Sequence, residues 1–306
     1  MSFLQLLINT VALGAAYALV ALGFVWVLNA TNAVNFAHGD MVMTGGFASL
    51  ALAALLPVPG ILLLPLVLVL MAVLGLVFSG LAYFPLKDRP PVAVFISTIA
   101  LGIVLTNAAN ALFRRRAARD PTAVRRRRHR DRRPDRQPPV DRRDPGRGAA
   151  DRRPASLFAR TQFGRKLRAT RPGSRHGAAV GIPVHRMIAL TFALATALAG
   201  AAGLLLSNSF FVSPADGMNY MVKAYIAVTI GGWGSIPGAV AGAFLIALFD
   251  VMLPGLPALL PALNALPGAD WLFSQTVATI LLYLLLLAIL LLRPQGLFGE
   301  AAQRRA

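Results

Sequence analysis

The side chains able to do chemistry are few in this chain, and they sit in short polar stretches between apolar runs. Asn29 to Gly46 reads NATNAVNFAHGDMVMTGG and brings Asn32, Asn35, His38 and Asp40 close together. Lys223 stands alone in a later apolar run, and Gly231 to Gly238 reads GGWGSIPG. A histidine beside a carboxylate can move protons, but no second carboxylate has the spacing for paired acid–base work. His38, His129, His176 and His185 are scattered, without metal-ligand spacing, and the chain has no cysteine. We therefore expect no catalytic residue, no metal and no cofactor held by the chain, which reads as something other than an enzyme.

The elements that must position these residues are membrane-spanning helices. Of 306 residues, 57% are hydrophobic and 14% charged. No Asp, Glu, Lys or Arg occurs from Met1 to Gly39, from Met41 to Leu86, or from Pro90 to Phe113. Charge-free runs of about 20 residues are long enough to cross a bilayer, and a soluble core helix would carry a polar face that these runs lack. The expected fold is all-α, a polytopic transmembrane bundle of about 7–9 spans, short or broken helices included. The N-terminal run is longer than a signal-peptide core and lacks a basic start, so it is taken as a span.

In order, the spans are Phe3 to Asn29, a shorter helix over Met41 to Leu56, Ile61 to Leu86, and Pro91 to Phe113. Further on come Arg186 to Phe211, rich in small residues that let helices pack closely, and a short span over Met218 to Ile230. Ala239 to Leu253 and Trp271 to Leu292 complete them. Leu253 to Asp270 is expected as an interfacial loop. The regions are thus 1–113 and 186–293 for helices, 114–156 Arg-rich, 157–185 a basic loop, and 294–306 a tail.

The Arg-rich region departs from the pattern. From Arg114 to Arg153 it holds 17 Arg and 6 Asp. Taken literally it is a disordered basic loop able to meet nucleic acid or anionic lipid electrostatically. Its low complexity, its lack of aromatic residues and the absence of a recognition fold around it argue against nucleic acid. A translation one base out of frame explains it better. Shifted by one base, Arg codons CGN become GNN, and codons permitted for Val140 to Arg153 then read STVAILVVALLIA, an apolar span. Arg171 to Gly181 shifts in the same way to GQDPDTARLLG, a polar helical loop.

Orientation follows from the basic residues. Lys87, Arg89, the 160–186 loop and Arg293 through Arg305 belong on the cytoplasmic side. The loops Asn208 to Asn219 and Leu253 to Asp270 belong outside. These assignments alternate correctly if one span is missing between Phe113 and Leu157, which independently favours the frame reading.

NAVNFAHGDMVMTGG, TQFGRKLRAT from Thr161 to Thr170, GGWGSIPGA and the terminal RPQGLFGE occur in that order. Together they resemble the permease of bacterial branched-chain amino acid ABC importers, the LivH-type subunit, over roughly residues 1–113 and 157–300. The resemblance fails over the Arg-rich segment, where the family has a further span. It implies a multi-pass inner-membrane protein working with a second, LivM-like permease subunit, cytoplasmic ABC ATPases that use ATP, and an external solute-binding protein. Membrane lipid surrounds it and no nucleic acid is expected. The chain has no Gly-x-x-x-x-Gly-Lys-Ser/Thr loop, so the energy must come from a partner. The resemblance leaves the cargo open between branched-chain amino acids and short amides such as urea. An ion-coupled secondary transporter is the alternative of another class.

Each stretch carries two readings. Thr161 to Thr170 is a topology signal, or a coupling helix in a groove of the ATPase. In the coupling reading Phe163, Leu167 and Ala169 make contacts, Arg165, Lys166 and Arg168 line the rim, and Gly164, Gly181 and Ile182 are further coupling candidates. Gly231, Gly232, Gly234, Ser235, Pro237 and Gly238 form a tight turn or a hinge. Lys223 snorkels to the interface or guides a substrate carboxylate. Asp250 is expected near the interface. Asn32, Asn35, His38 and Asp40 line an interfacial loop or support the pathway. One measurement tests the frame reading: the gene sequence is expected to show a shifted open frame across codons 114–156 and 171–181. Protection of Arg125 to Arg147 from protease in membranes would contradict the disordered reading of the literal chain.

Overall fold

A computed structural model of the chain describes residues 3–56, 58–119, 183–209, 212–260, 262–263 and 268–299, and all regular structure in them is helical. The helices are α1 (Phe3–Thr31), α2 (His38–Leu55), α3 (Leu64–Phe78), α4 (Pro91–Arg119), α5 (Val184–Ser209), α6 (Asp216–Gly231), α7 (Ile236–Leu259), α8 (Ala269–Leu272) and α9 (Gln275–Leu292). Helical turns carry α3 on to Leu86, just before Lys87. Six helices among the described residues are long and apolar enough to cross a membrane; α2, α6 and α8 are shorter or less apolar. The chain is a multi-pass, all-α membrane protein.

The core is α1 and α5. In each, 72% of the most apolar stretch is buried, against 17% for α9 and 22% for α4. α5 can hold the centre because glycine and alanine at its contacts let neighbouring backbones come close. A Cβ on Gly45 of α2 would lie 2.6 Å from the Gly200 Cα of α5, and a Cβ on Gly75 of α3 would lie 2.6 Å from the Phe192 carbonyl. Lipid tails are as apolar as leucine, so close packing of such small residues, rather than escape from water, draws these helices together.

Gly46 of α2 lies against Val212, just ahead of α6, and the α2 start lies against Gly217 and Met221. α2 therefore runs towards the N-terminal end of α6, and the opposite end of the bundle gathers the basic residues. There Lys87 Nζ donates to His185 Nε2 at 3.0 Å, and Asn29 Nδ2 at the end of α1 donates to the Gly234 carbonyl at 3.1 Å.

Several boundaries differ from the sequence reading. The expected loop from Leu253 begins later, because α7 continues to Leu259 through Pro254 and Pro257. A membrane helix tolerates proline where neighbouring helices support it, and here Gly255 seats the Leu6 side chain of α1. The last span starts at Gln275 rather than Trp271: Ser274 caps it by accepting from Val277 N at 3.3 Å, which leaves Ala269–Leu272 as a separate turn. The first residues of the Arg-rich region, 114–119, continue α4 as helix rather than starting a disordered segment, because the helical backbone runs on past the apolar span; residues 120–156 and the 157–182 loop lie outside the described residues.

Gly45→Ala is expected to lower the unfolding midpoint in detergent, at a cost of about 1–3 kcal/mol from overpacking. Gly80→Ala, with no heavy atom within 4 Å, should leave the midpoint unchanged or raise it slightly. The two melting curves check this.

Candidate functional site

The Asn29–Gly46 stretch folds as a helix end, a return and a new helix. α1 stops at Thr31, and Asn32 takes φ +53°, a left-handed angle that asparagine tolerates better than most residues. The chain then turns back along α1, so that α2 begins level with the middle of that helix: His38 Nε2 donates to the Val20 carbonyl at 3.0 Å. Gly23 leaves room for the imidazole, because a Cβ there would lie 2.8 Å from the ring. His38 is fully buried, with its edge towards Phe24, and its Nδ1 has no partner. Asn35, 3% exposed, accepts from Ala37 N at 3.1 Å and so shapes the turn into α2. Phe36 locks the return against α4, stacking edge-on to Phe95 at 4.4 Å while its N–H donates to Thr98 Oγ1 at 3.2 Å.

Asp40 lies in the first turn of α2, where the helix dipole favours a carboxylate. Its Oδ1 accepts from Thr106 Oγ1 of α4 at 3.2 Å. The carboxylate sits against Gly102 of α4 on one side and Gly217 of α6 on the other, and a Cβ at either position would collide with it. Asn35, His38 and Asp40 are thus brought to one junction of α1, α2, α4 and α6, while Asn32 stays exposed. The sequence leaves this stretch open between an interfacial loop and a segment that supports the pathway; the structure shows a break inserted into the bundle, with Asn35 and His38 buried at it.

Lys223 has a specific destination. Its Nζ donates to Asp250 Oδ2 of α7 at 2.5 Å and to Tyr17 OH of α1 at 2.7 Å, lying 4.8 Å from the Tyr17 ring centre. Tyr17 OH donates to the same Asp250 oxygen at 2.9 Å, and Gln275 Nε2 of α9 donates to Asp250 Oδ1 at 3.0 Å. The Asp250 side chain is 4% exposed and that of Lys223 28%. Asp250, expected near the interface, is therefore buried, because its charge is matched inside the bundle. The network ties α1, α6, α7 and α9. Reading the sequence missed Tyr17, Gln275 and Thr106; pairing the lone Lys of one span with the lone Asp of the next would have found half of it.

Gly231–Gly238 is a turn fastened from several sides. Gly232 and Gly234 take φ +106° and +80°. Gly231 and Gly238 touch backbone to backbone, and Ser235 caps α7 by accepting from Gly238 N at 3.2 Å, with Pro237 in the first turn. Phe163, Gly164, Arg165, Leu167, Arg168, Ala169, Gly181 and Ile182 lie outside the described residues.

A family model described as the branched-chain amino acid transport system / permease component matches residues 6–125 and 155–290. The chain is 26% identical to the high-affinity branched-chain amino acid transport system permease protein BraD of Pseudomonas aeruginosa, covering 97% of this chain and 96% of that one. It is 27% identical to the LivH permease proteins of Escherichia coli K12 and Salmonella typhimurium, with the same coverage. No solved structure matches. A chain matched in both halves by one family model, with the inserted break and the glycine-rich turn inside the matched blocks, belongs to the branched-chain amino acid transport system permease-component family.

Proposed function

We propose that the chain is the LivH-type permease subunit of an ABC importer that moves branched-chain amino acids across the bacterial inner membrane. It would work with a second, LivM-like permease, cytoplasmic ATPases and an external binding protein. The observation that carries this reading is the family match over both halves of the chain, joined to a helix that begins inside the bundle with His38 and Asp40 in its first turn. Broken helices and ionisable groups at membrane depth are expensive, and they are retained where a cavity or pathway needs them. The sequence carries no Gly-x-x-x-x-Gly-Lys-Ser/Thr loop, which supports the reading that nucleotide chemistry belongs to a partner.

On this reading Asn32, Asn35, His38 and Asp40 form the pathway-side break. The segment Phe163–Ala169, with Gly181 and Ile182, docks on the ATPase. Lys223 has its charge met by Asp250, so its role is to tie helices together rather than to receive a substrate carboxylate. The frame-shifted segment supplies the missing span in an intact version of the gene.

Reconstituted with all partners, the transporter is expected to accumulate leucine, isoleucine or valine only with ATP. Uptake by this chain alone, or uptake driven by a proton gradient without the ATPases, would overturn the proposal. Replacing Gly164 or Leu167 should leave ATP hydrolysis running while uptake falls, and unchanged uptake would count against the docking segment. Lys223→Met alone should destabilise the protein by about 3–5 kcal/mol, because it strands a buried charge, while Lys223→Met with Asp250→Leu should recover most of that loss. Thermal unfolding in detergent measures the stability, and uptake by the double variant measures whether the pair does more than hold helices.

A further inference from the structure

We infer that the terminal segment Arg293–Gly299 is a strap that keeps the α6–α7 break a fixed joint through the transport cycle, so that this glycine-rich turn does not hinge. The inference rests on the permease reading, and its test can fail separately from it.

The last carbonyls of a helix have no partner within the helix. At the end of α6 the tail supplies partners: Leu297 N donates to the Ile230 carbonyl at 2.8 Å, and Phe298 N donates to the Gly231 carbonyl at 2.9 Å. The contact is backbone on backbone. Gly296 takes φ +76°, and a Cβ on it would lie 2.5 Å from the Gly232 Cα. Gly232, also left-handed, faces back, and its Cβ would lie 2.5 Å from Gly299 N. Gly296 is thus without a side chain where Gly232 passes, and Gly232 where Gln295 and Gly299 pass.

Other groups hold the same turn. Asn29 of α1 donates to the Gly234 carbonyl at 3.1 Å, and Ser235 N donates to the Gly232 carbonyl at 3.0 Å. Towards the other end of the hairpin, Lys223 of α6 is bonded to Asp250 of α7. A hinge needs φ and ψ free to change at a few residues. Here the flexible residue types are present, but their backbone groups are engaged by α1 and by the tail, and the two helices are joined at a second point. The grip does not use the tail's apolar side chains: Leu297 is 44% and Phe298 55% exposed. Gly296 should therefore be intolerant of substitution, and Leu297 and Phe298 tolerant.

Amide hydrogen exchange on the complete transporter, nucleotide-free and vanadate-trapped, tests the strap. Peptides covering Gly231–Ala239 and Leu297–Phe298 are expected to keep their protection within about twofold in both states, and a loss of about tenfold or more in either state overturns the inference. Gly296→Val should raise exchange across Gly232–Ser235 about tenfold, whereas Leu297→Ala with Phe298→Ala should change it less than about twofold. Full protection in the valine variant, or exposure in the alanine pair, also overturns it. Should the valine variant fail to accumulate, the two-state comparison on the unaltered chain still decides. Failure of the permease reading would appear elsewhere, as uptake that does not depend on the ATPases.

Discussion

Lys223 and Asp250 are matched charges in the interior of an apolar bundle, and the demand that makes them partners governs the rest of the molecule. Lipid offers no hydrogen bonds, so each charge and each broken helix end has to be answered by the protein itself. Asp250 is answered three times over, by Lys223, Tyr17 and Gln275 from three helices. The carbonyls at the end of α6 are answered by the tail. The start of α2 is answered by Asn35 and by the contacts of His38 and Asp40. These sites fix how the helices register against one another, which apolar surface alone would leave loose.

The same demand explains the glycines. Where a polar group is brought into the bundle, a neighbouring backbone has to come within hydrogen-bonding or van der Waals range of it, and a Cβ prevents that. Gly23 admits the His38 ring, and Gly102 and Gly217 flank the Asp40 carboxylate. Along α5 the small residues serve plain helix packing against α2 and α3. Small residues in this chain thus do two jobs, one at the polar junctions and one along the central seam.

Membership of a transport permease family gives the polar break a context. A helix that starts inside a bundle is costly as architecture alone, yet it lies at the meeting of α1, α2, α4 and α6, where helices from both matched blocks of the chain converge. The outer faces of α3, α4 and α9 carry long apolar side chains with little burial in the chain itself. They are suited to lipid or to another hydrophobic subunit.

The sequence alone determined the fold class, the positions of most spans and the family resemblance. Charge-free runs of bilayer length, the ordered motifs and the basic residues between spans are local signals that survive in one dimension. Asn32 to Asp40 and Gly231 to Gly238 stood out for the same reason, as polar or glycine-rich interruptions of apolar chain. What the sequence left undecided was pairing. Tyr17 and Gln275 are unremarkable in their own spans, Lys223 and Asp250 stand out as charges without naming their partners, and Gly296 gives no local hint that it faces Gly232. Only the packed bundle decided that Asp250 is buried, that α7 runs on past Leu253, and that the break at Gly231 is fastened. Those outcomes depend on distances between helices, and no periodicity or composition within a single segment encodes them.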